Sequence, residues 1–309
     1  MGHVPRTLFR VNIAVTGSTG LLGRALVAHL REHGHRVIRL VRRRPKAEDE
    51  VLWYPELDTA RLAGVGAVVH LVGERVHGRW TEHHKESIRA SRVEGTRTLA
   101  TALAGMRDGP RALLCASAVG YYGDRGEEAL TEDSGPGEGF LAGVYRDAED
   151  AADAAEQAGM RVAHLRFGIV QSAEGGALAW LLPRFRRGLG IRAGCGNQYV
   201  SWVSLPDLVR ATTHVLTTPA LSGPLNVVAP NPVTNREYAD ILAATLGRPR
   251  FIALTKGLTR RMFGPEVADQ IVLASTRAVP ERLVRSGFTF RHPRLELAFQ
   301  ELLSNYYLR

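Results

Sequence analysis

The stretch VNIAVTGSTGLLGRALVAHL, residues 11–30, constrains this chain more than any other. A short β-rich run, 11–16, meets three glycines, Gly17, Gly20 and Gly23, where an amphipathic helix opens. Gly17 permits a sharp turn, Gly20 lets backbone amides approach a pyrophosphate, and Gly23 allows helix and strand to touch. The helix tip then presents unpaired N–H groups and the positive end of a dipole. A tight turn that binds nothing would use glycines in the same way, so the surrounding pattern has to decide.

That pattern is a regular alternation of strand and helix. Apolar residues at helical spacing fill 21–33, Gly34 is placed to cap that helix, and HRVIRLV follows as a second strand. GAVVHLV (66–72), RALLCAS (111–117) and RVAHLRF (161–167) are further buried strands, with helical stretches over 82–103 and 141–159 between them. Strands alternating with helices predict an α/β fold: a Rossmann doubly wound parallel sheet joined by right-handed crossovers. After Val170 the rhythm changes. A helical ALAWLLPRFRRG leads into the glycine-rich GLGIRAGCG and the strand-like QYVSWVS; a helix near Pro206 and the strand GPLNVV follow. The expected division is a dinucleotide-binding domain over 9–172, to which 197–228 returns, and a smaller C-terminal α/β substrate domain over 173–196 and 229–309. A cleft between the two is the expected ligand site.

Composition narrows the partners. With 309 residues, 45% of them hydrophobic, the chain can bury a sizeable core. No apolar run is long enough for a membrane span, and MGHVPRTLFR lacks the apolar stretch of a signal peptide. Arg6 stands where a myristoylation signal needs Ser or Thr. Cys115 and Cys195 are too few and too far apart for a disulfide framework, so a reducing cytoplasm is the expected setting. The formal charge of +9 is spread along the chain, often beside Glu or Asp, and only VRRRPK (41–46) is dense. That favours one local anion site over nucleic-acid binding.

The second strand selects among nucleotides. An NAD site would place Asp or Glu at its end to hold the ribose hydroxyls. This strand instead ends RLVRRRPK, with no acid until Glu48. Arg42 and Arg43 are suited to grip a 2′-phosphate, which makes NADP(H) the expected cofactor. A solvated basic loop is the plainer use of the same residues.

TGSTGLLG, VVHLVGE, ASAVGYYGD, LRFGIV and VSWVSLPDLV occur in this order. With them the chain resembles an extended short-chain dehydrogenase/reductase. More narrowly it resembles the epimerase family proteins of uncharacterised activity, through RWTEHHKESIRASRVEGTR, LLPRFRRGLG and the tail STRAVPERLVRSGFTFRHPRLELAF. The likeness runs from Phe9 to Leu303, and the tail resembles a C-terminal domain of unknown function. The resemblance implies that Gly17, Ser18, Thr19, Gly20, Leu21 and Leu22 line the pyrophosphate. It implies that Leu71, Val72, Gly73 and Glu74 pass beside the adenosine ribose and phosphates, with Phe167, Gly168 and Ile169 near the nicotinamide. Where many relatives have Asn before Val-x-Gly-Thr, this chain has Arg92, which either meets a phosphate or pairs with Glu94 or Glu74.

Such enzymes usually move the substrate proton with a tyrosine activated by a lysine four residues later. Ser117 matches the serine that orients the substrate oxygen. Anchored on Glu149, the Tyr-x-x-x-Lys positions fall on Leu141 and Tyr145, and the only lysines beyond position 46 are Lys85 and Lys256. The usual acid–base pair is absent. Three readings stay open: Tyr121 or Tyr122 does the proton work, with Ser117 or water assisting; hydride goes to an activated acceptor such as a conjugated alkene or quinone; or the protein binds NADP(H) without turnover, as a redox sensor or interaction module. Tyr121 and Tyr122 serve equally well as core aromatics. Gln198 and Trp202 are expected on a cleft-facing strand, with packing the plainer role for Trp202. Arg186, beside Arg184 and Arg187, either attracts an acidic substrate or forms an exposed helical face. The histidines of EHHKE and RVHGRW do not close a metal-ligand set, so no metal is expected. Glu127, Glu128, Glu132 and Asp133 are expected in a solvated loop. The functional expectation is an NADP(H)-dependent oxidoreductase or epimerase of a small molecule.

Overall fold

In a computed structural model of the chain, residues 11–248 and 251–304 are described. The expected domain start at 9 and the tail beyond Ser304 lie outside the described residues. Seven strands form the central sheet: β1 (Asn12–Thr16), β2 (Arg36–Val41), β3 (Glu50–Leu52), β4 (Val65–His70), β5 (Ala112–Ala118), β6 (Arg161–Phe167) and β7 (Gly223–Val227). Their order is β7-β6-β5-β4-β1-β2-β3, with every neighbouring pair parallel. The order reverses between β1 and β4, which is where a sheet of this kind opens a crevice at its carboxyl edge.

Seven helices matter here: α1 (Leu21–Glu32), α2 (Glu82–Ala104), α3 (Phe140–Asp150), α4 (Gly176–Arg186), α5 (Leu205–Thr217), α6 (Asn235–Thr245) and α7 (Leu295–Ser304). Side-chain alternation along the strands assigns them to two layers. Ile13 and Val15 of β1 join Leu26 and Leu30 of α1 and Leu208 and Val215 of α5 in one core. Ala14, one step out of phase, faces the other core with Leu99 and Leu103 of α2. Both faces of the sheet are covered, which is why its strands are near-continuous apolar runs.

A third core joins Leu178, Leu182 and Phe185 of α4 to Tyr238 and Leu242 of α6 and to Leu295, Phe299 and Leu303 of α7. Two-stranded pairings outside the central sheet knit the rest of the chain: Ile169–Gln171 with Trp202–Ser204, Gly190–Ala193 with Phe251–Leu254, and Ala129–Leu130 with Arg277–Ala278. The chain does not divide cleanly, because Leu283 and Phe288 of the tail belong to the first core. The helix expected over 141–159 breaks in two at Ala151 and Ala152, leaving α3 and a short Asp153–Gln157 turn of helix. Among the described residues, no helix is long and apolar enough to cross a membrane.

Candidate functional site

The carboxyl ends of β1 and β4 are tied together. Leu71 N–H donates to Thr16 Oγ1 at 3.0 Å, and Thr16 Oγ1 lies 2.9 Å from His70 Nδ1. Gly17 turns there with φ +65°, and a Cβ on it would sit 2.9 Å from Leu71 O. A Cβ on Gly23 would be 2.1 Å from Gly17 O, so helix α1 reaches the turn only because residue 23 has no side chain. Gly20 caps α1 without any side-chain hydrogen bond, and the first turn carries no acid. The orphan N–H groups of that turn therefore face the crevice with no negative charge of the protein's own. Ser18 is buried while Thr19 and Gly20 are exposed, and Leu21 packs against Gly175. The cradle fits a phosphate in shape and in sign.

At the end of β2 the two arginines separate. Arg42 is exposed and has no protein partner among the described residues. Arg43 gives both Nη atoms to Glu50, at 2.9 and 2.7 Å. Glu50 stands at the start of β3, a strand the sequence reading missed, and also takes the Lys46 N–H at 2.7 Å. Arg43 thus shapes the basic loop, while Arg42, like the exposed Arg44 and Lys46, keeps its charge free for a ligand.

Beyond β4, Leu71 and Val72 are half-buried, Gly73 and Glu74 exposed, and Glu74 N–H donates to Ser91 Oγ at 2.9 Å. Arg92 pairs with neither Glu74 nor Glu94 among the described residues. Its guanidinium lies against Gly73, whose Cβ would meet Cζ and Nη2 at 3.0 Å. At the end of β6, Phe167 is buried and Ile169 is 37% exposed. Gly168 is required by packing, since a Cβ there would be 2.8 Å from Ser201 O.

Around β5, several expected groups prove to be internal. Ser117 is buried and donates to Glu149 Oε1 at 2.7 Å, while its neighbours Ala116 and Ala118 carry no hydroxyl. Glu149 forms a two-point pair with Arg166, Nε to Oε1 at 2.9 Å and Nη2 to Oε2 at 2.7 Å. Tyr122 has to be withdrawn as a proton donor. It is fully buried, its hydroxyl lies 2.7 Å from Asn226 Oδ1 and 3.0 Å from Thr131 O, and it accepts from Arg166 Nη1 at 2.9 Å. Burial pushes its pKa up. Tyr121 is different. It is half-buried, the Arg166 guanidinium lies 3.6 Å from its ring centroid, and its hydroxyl meets no protein group among the described residues. Leu141 and Tyr145, at the positions of the usual pair, are both buried in an apolar cluster bordered by Val76, Trp80, Phe140, Tyr121 and Ile271.

Three more expectations are corrected by packing. Trp202 is fully buried in the third core, and its Nε1–H donates to Asn231 O at 3.0 Å. Gln198 is buried and donates to Ala193 O and Val272 O at 3.1 and 3.2 Å. Neither side chain faces a cleft. Glu132 is buried rather than solvated, accepting the N–H groups of Asn226 and Arg282 on Oε1. Arg186 is exposed in the last turn of α4, and its carbonyl accepts from Arg248 Nε at 3.3 Å. His84 of EHHKE braces the loop before α2, its ring nitrogens 3.1 and 2.9 Å from the carbonyls of Arg79 and Arg75. Glu149, Arg166 and Asn226 were not singled out by sequence as site residues. Glu149 served in the sequence only as the anchor for the Tyr-x-x-x-Lys positions, and nothing there signalled its pairing with Arg166.

Comparison with known proteins agrees with this geometry. Residues 13–228 match the NAD dependent epimerase/dehydratase family, and residues 256–302 match a domain of unknown function, DUF1731. An epimerase family protein of Mycobacterium bovis, Mb2239, is 43% identical over 284 residues, covering 91% of this chain and 93% of that protein. The crystal structure of the human epimerase family protein SDR39U1 with NADPH is similar at a TM-score of 0.86 and 31% identity, over 96% of this chain and all of that one. The structure of a nucleoside-diphosphate sugar epimerase from Corynebacterium glutamicum is similar at a TM-score of 0.81 and 38% identity, over 96% of this chain and 59% of that one. On the extent of the family match and of these identities, the chain belongs to the NAD dependent epimerase/dehydratase family.

Proposed function

We propose that this protein binds NADP(H) across the β1–β4 crevice and acts as an oxidoreductase or epimerase on a small molecule, with Tyr121 moving the substrate proton. The observation that carries the cofactor is the glycine cradle, closed to a Cβ at Gly17 and Gly23 and faced by an uncapped helix tip, with Arg42 unpaired beside it. The NADPH present in the structure of the human relative supports the same choice. Gly17 to Leu22 would hold the pyrophosphate and Arg42 the adenosine 2′-phosphate, with Arg43 keeping the loop in place. The cofactor supplies or accepts a hydride. Tyr121 presents a hydroxyl beside the β5 end with no protein partner among the described residues, so it donates to the substrate oxygen on reduction or takes the proton on oxidation. Arg166 holds its ring from one face. A substrate that is an activated acceptor would need less of Tyr121. Both thiols are free, one buried and one exposed, in keeping with a cytoplasmic setting.

A non-catalytic NADP(H)-binding sensor is the second reading, favoured by the commitment of Ser117 to Glu149 and by Leu141 and Tyr145. NADPH oxidation against a panel of carbonyls, enones and quinones separates the two. Tyr121→Phe is expected to cut the rate by about a hundredfold or more, whereas Tyr122→Phe lowers thermal stability and leaves the rate nearly intact. An unchanged rate in Tyr121→Phe removes Tyr121 from the role. Tight NADPH binding without turnover on any acceptor favours the sensor.

A further inference from the structure

The positions that usually hold the acid–base pair are filled by Leu141 and Tyr145, yet a cation is present at the same place, delivered by another helix. Arg92 of α2 reaches over Tyr145, its Cζ 5.6 Å from the ring centroid. Its other face lies on Gly73, the residue three past the end of β4. A Cβ built on Gly73 would be 3.0 Å from Cζ, 3.0 Å from Nη2 and 3.3 Å from Nη1, so the guanidinium fills the space that a side chain at 73 would enter. Tyr145 in turn packs on Gly120, whose Cβ would be 3.0 Å from its ring. Arg92 is therefore wedged between the ends of β4 and β5, one step along the sheet from the phosphate cradle. Its only hydrogen bond among the described residues is a long one, Nη1 to Ile88 O at 3.4 Å. No carboxylate among the described residues pairs with it. A half-buried guanidinium with most of its five donors unspent is arranged for an oxygen-rich, anionic ligand.

We propose that Arg92, seated on Gly73, grips the ribose–phosphate oxygens of the cofactor half that carries the reacting ring, and so supplies the positive charge that the missing lysine would have brought. This rests on the NADP(H) reading above. On this account Gly73 is a glycine chiefly because a side chain would push the guanidinium off its seat. Arg42 and Arg92 then divide the dinucleotide between them, one at each end of the crevice.

Calorimetric titration with two probes tests the division: NADPH, and adenosine 2′,5′-bisphosphate, which lacks the second ribose and the ring. Arg92→Ala is expected to weaken NADPH about tenfold to a hundredfold, the worth of charge-assisted hydrogen bonds, and to leave the bisphosphate affinity unchanged. Gly73→Ala keeps the charge but displaces it, and is expected to reproduce that selective loss. Arg92→Lys should recover part of the affinity, because it restores charge without the flat donor fork. Unchanged NADPH affinity in Arg92→Ala overturns the proposal. So does an equal loss for both probes accompanied by a lower melting temperature, the mark of a merely structural residue. Should Gly73→Ala fail to fold, the Ala and Lys variants at position 92 still decide. If the wild-type protein binds neither probe, the cofactor reading itself fails, a result separable from failure of Arg92 alone.

Discussion

His70 shows how one side chain beneath the site carries a measurable signature. Thr16 Oγ1 accepts the Leu71 N–H and lies 2.9 Å from His70 Nδ1, which leaves the ring's Nε2 without a share in that bond. That nitrogen has no hydrogen-bond partner among the described residues, and the ring stands edge-on to Trp53 at 5.3 Å. Burial holds the His70 pKa down to about 4, against 6.5 for a solvated histidine. The unfolded chain therefore takes up a proton in this window that the folded protein refuses. Stability should fall as pH is lowered from 6.5 towards 4, by roughly 3 kcal/mol in all from this one group. His164, whose pKa desolvation also lowers, acts in the same sense, while Glu132, whose pKa burial raises, acts oppositely. Urea unfolding at several pH values, compared with His70→Gln, isolates the contribution. The variant should show a flatter dependence between those pH values, and an identical slope would mean that His70 is not protonated on unfolding.

At the scale of elements, the β1–α1 turn depends on glycine in a graded way. A Cβ on Gly23 would lie 2.1 Å from Gly17 O and 2.7 Å from Ser18 Cα, while one on Gly20 would meet only Gly17 O at 3.3 Å. Gly23→Ala should therefore lower the melting temperature and abolish NADPH binding, and Gly20→Ala should lower the melting temperature much less. Titration and thermal melts check the order, and equal tolerance at both positions would contradict it. This turn was legible in the sequence because its glycines follow a strand and open a helix. β5 and β6 were legible as apolar runs, and α2 as a long helical stretch. β3 was not, because three residues carry no period; nor was the Gly190–Ala193 strand, hidden in a glycine-rich run. The cleft-facing expectation for Trp202 also failed. The segment QYVSWVS was expected to face the cleft, with packing the plainer role for Trp202, and the strand indeed pairs with Ile169–Gln171 while α4, α6 and α7 close over it. Arg166 escaped notice for the converse reason: it sits inside an apolar strand, and only its three-dimensional partners, Glu149 and Tyr122, reveal a buried ionic network.

Across the whole molecule, the C-terminal segment does more than sit beside the nucleotide half. Lys85 of α2 pairs with Glu266 at 2.6 Å, Gln270 Oε1 accepts the Leu141 N–H at 3.1 Å, and Arg282 reaches Asp133 at 2.7 Å. Ile271 joins the apolar cluster that contains Tyr145 and Tyr121. The domain of unknown function thus packs against the elements that hold the candidate chemistry, and gives the crevice an apolar border next to a strongly basic phosphate end. That asymmetry is what the account predicts should be felt by a ligand with an extra phosphate. Calorimetric titration of the wild-type protein with NADPH and with NADH, repeated on Arg42→Ala, measures it directly. The expected result is clear binding of NADPH, markedly weaker binding of NADH, and loss of that preference in the variant; no heat with either nucleotide, or tighter binding of NADH, would contradict it.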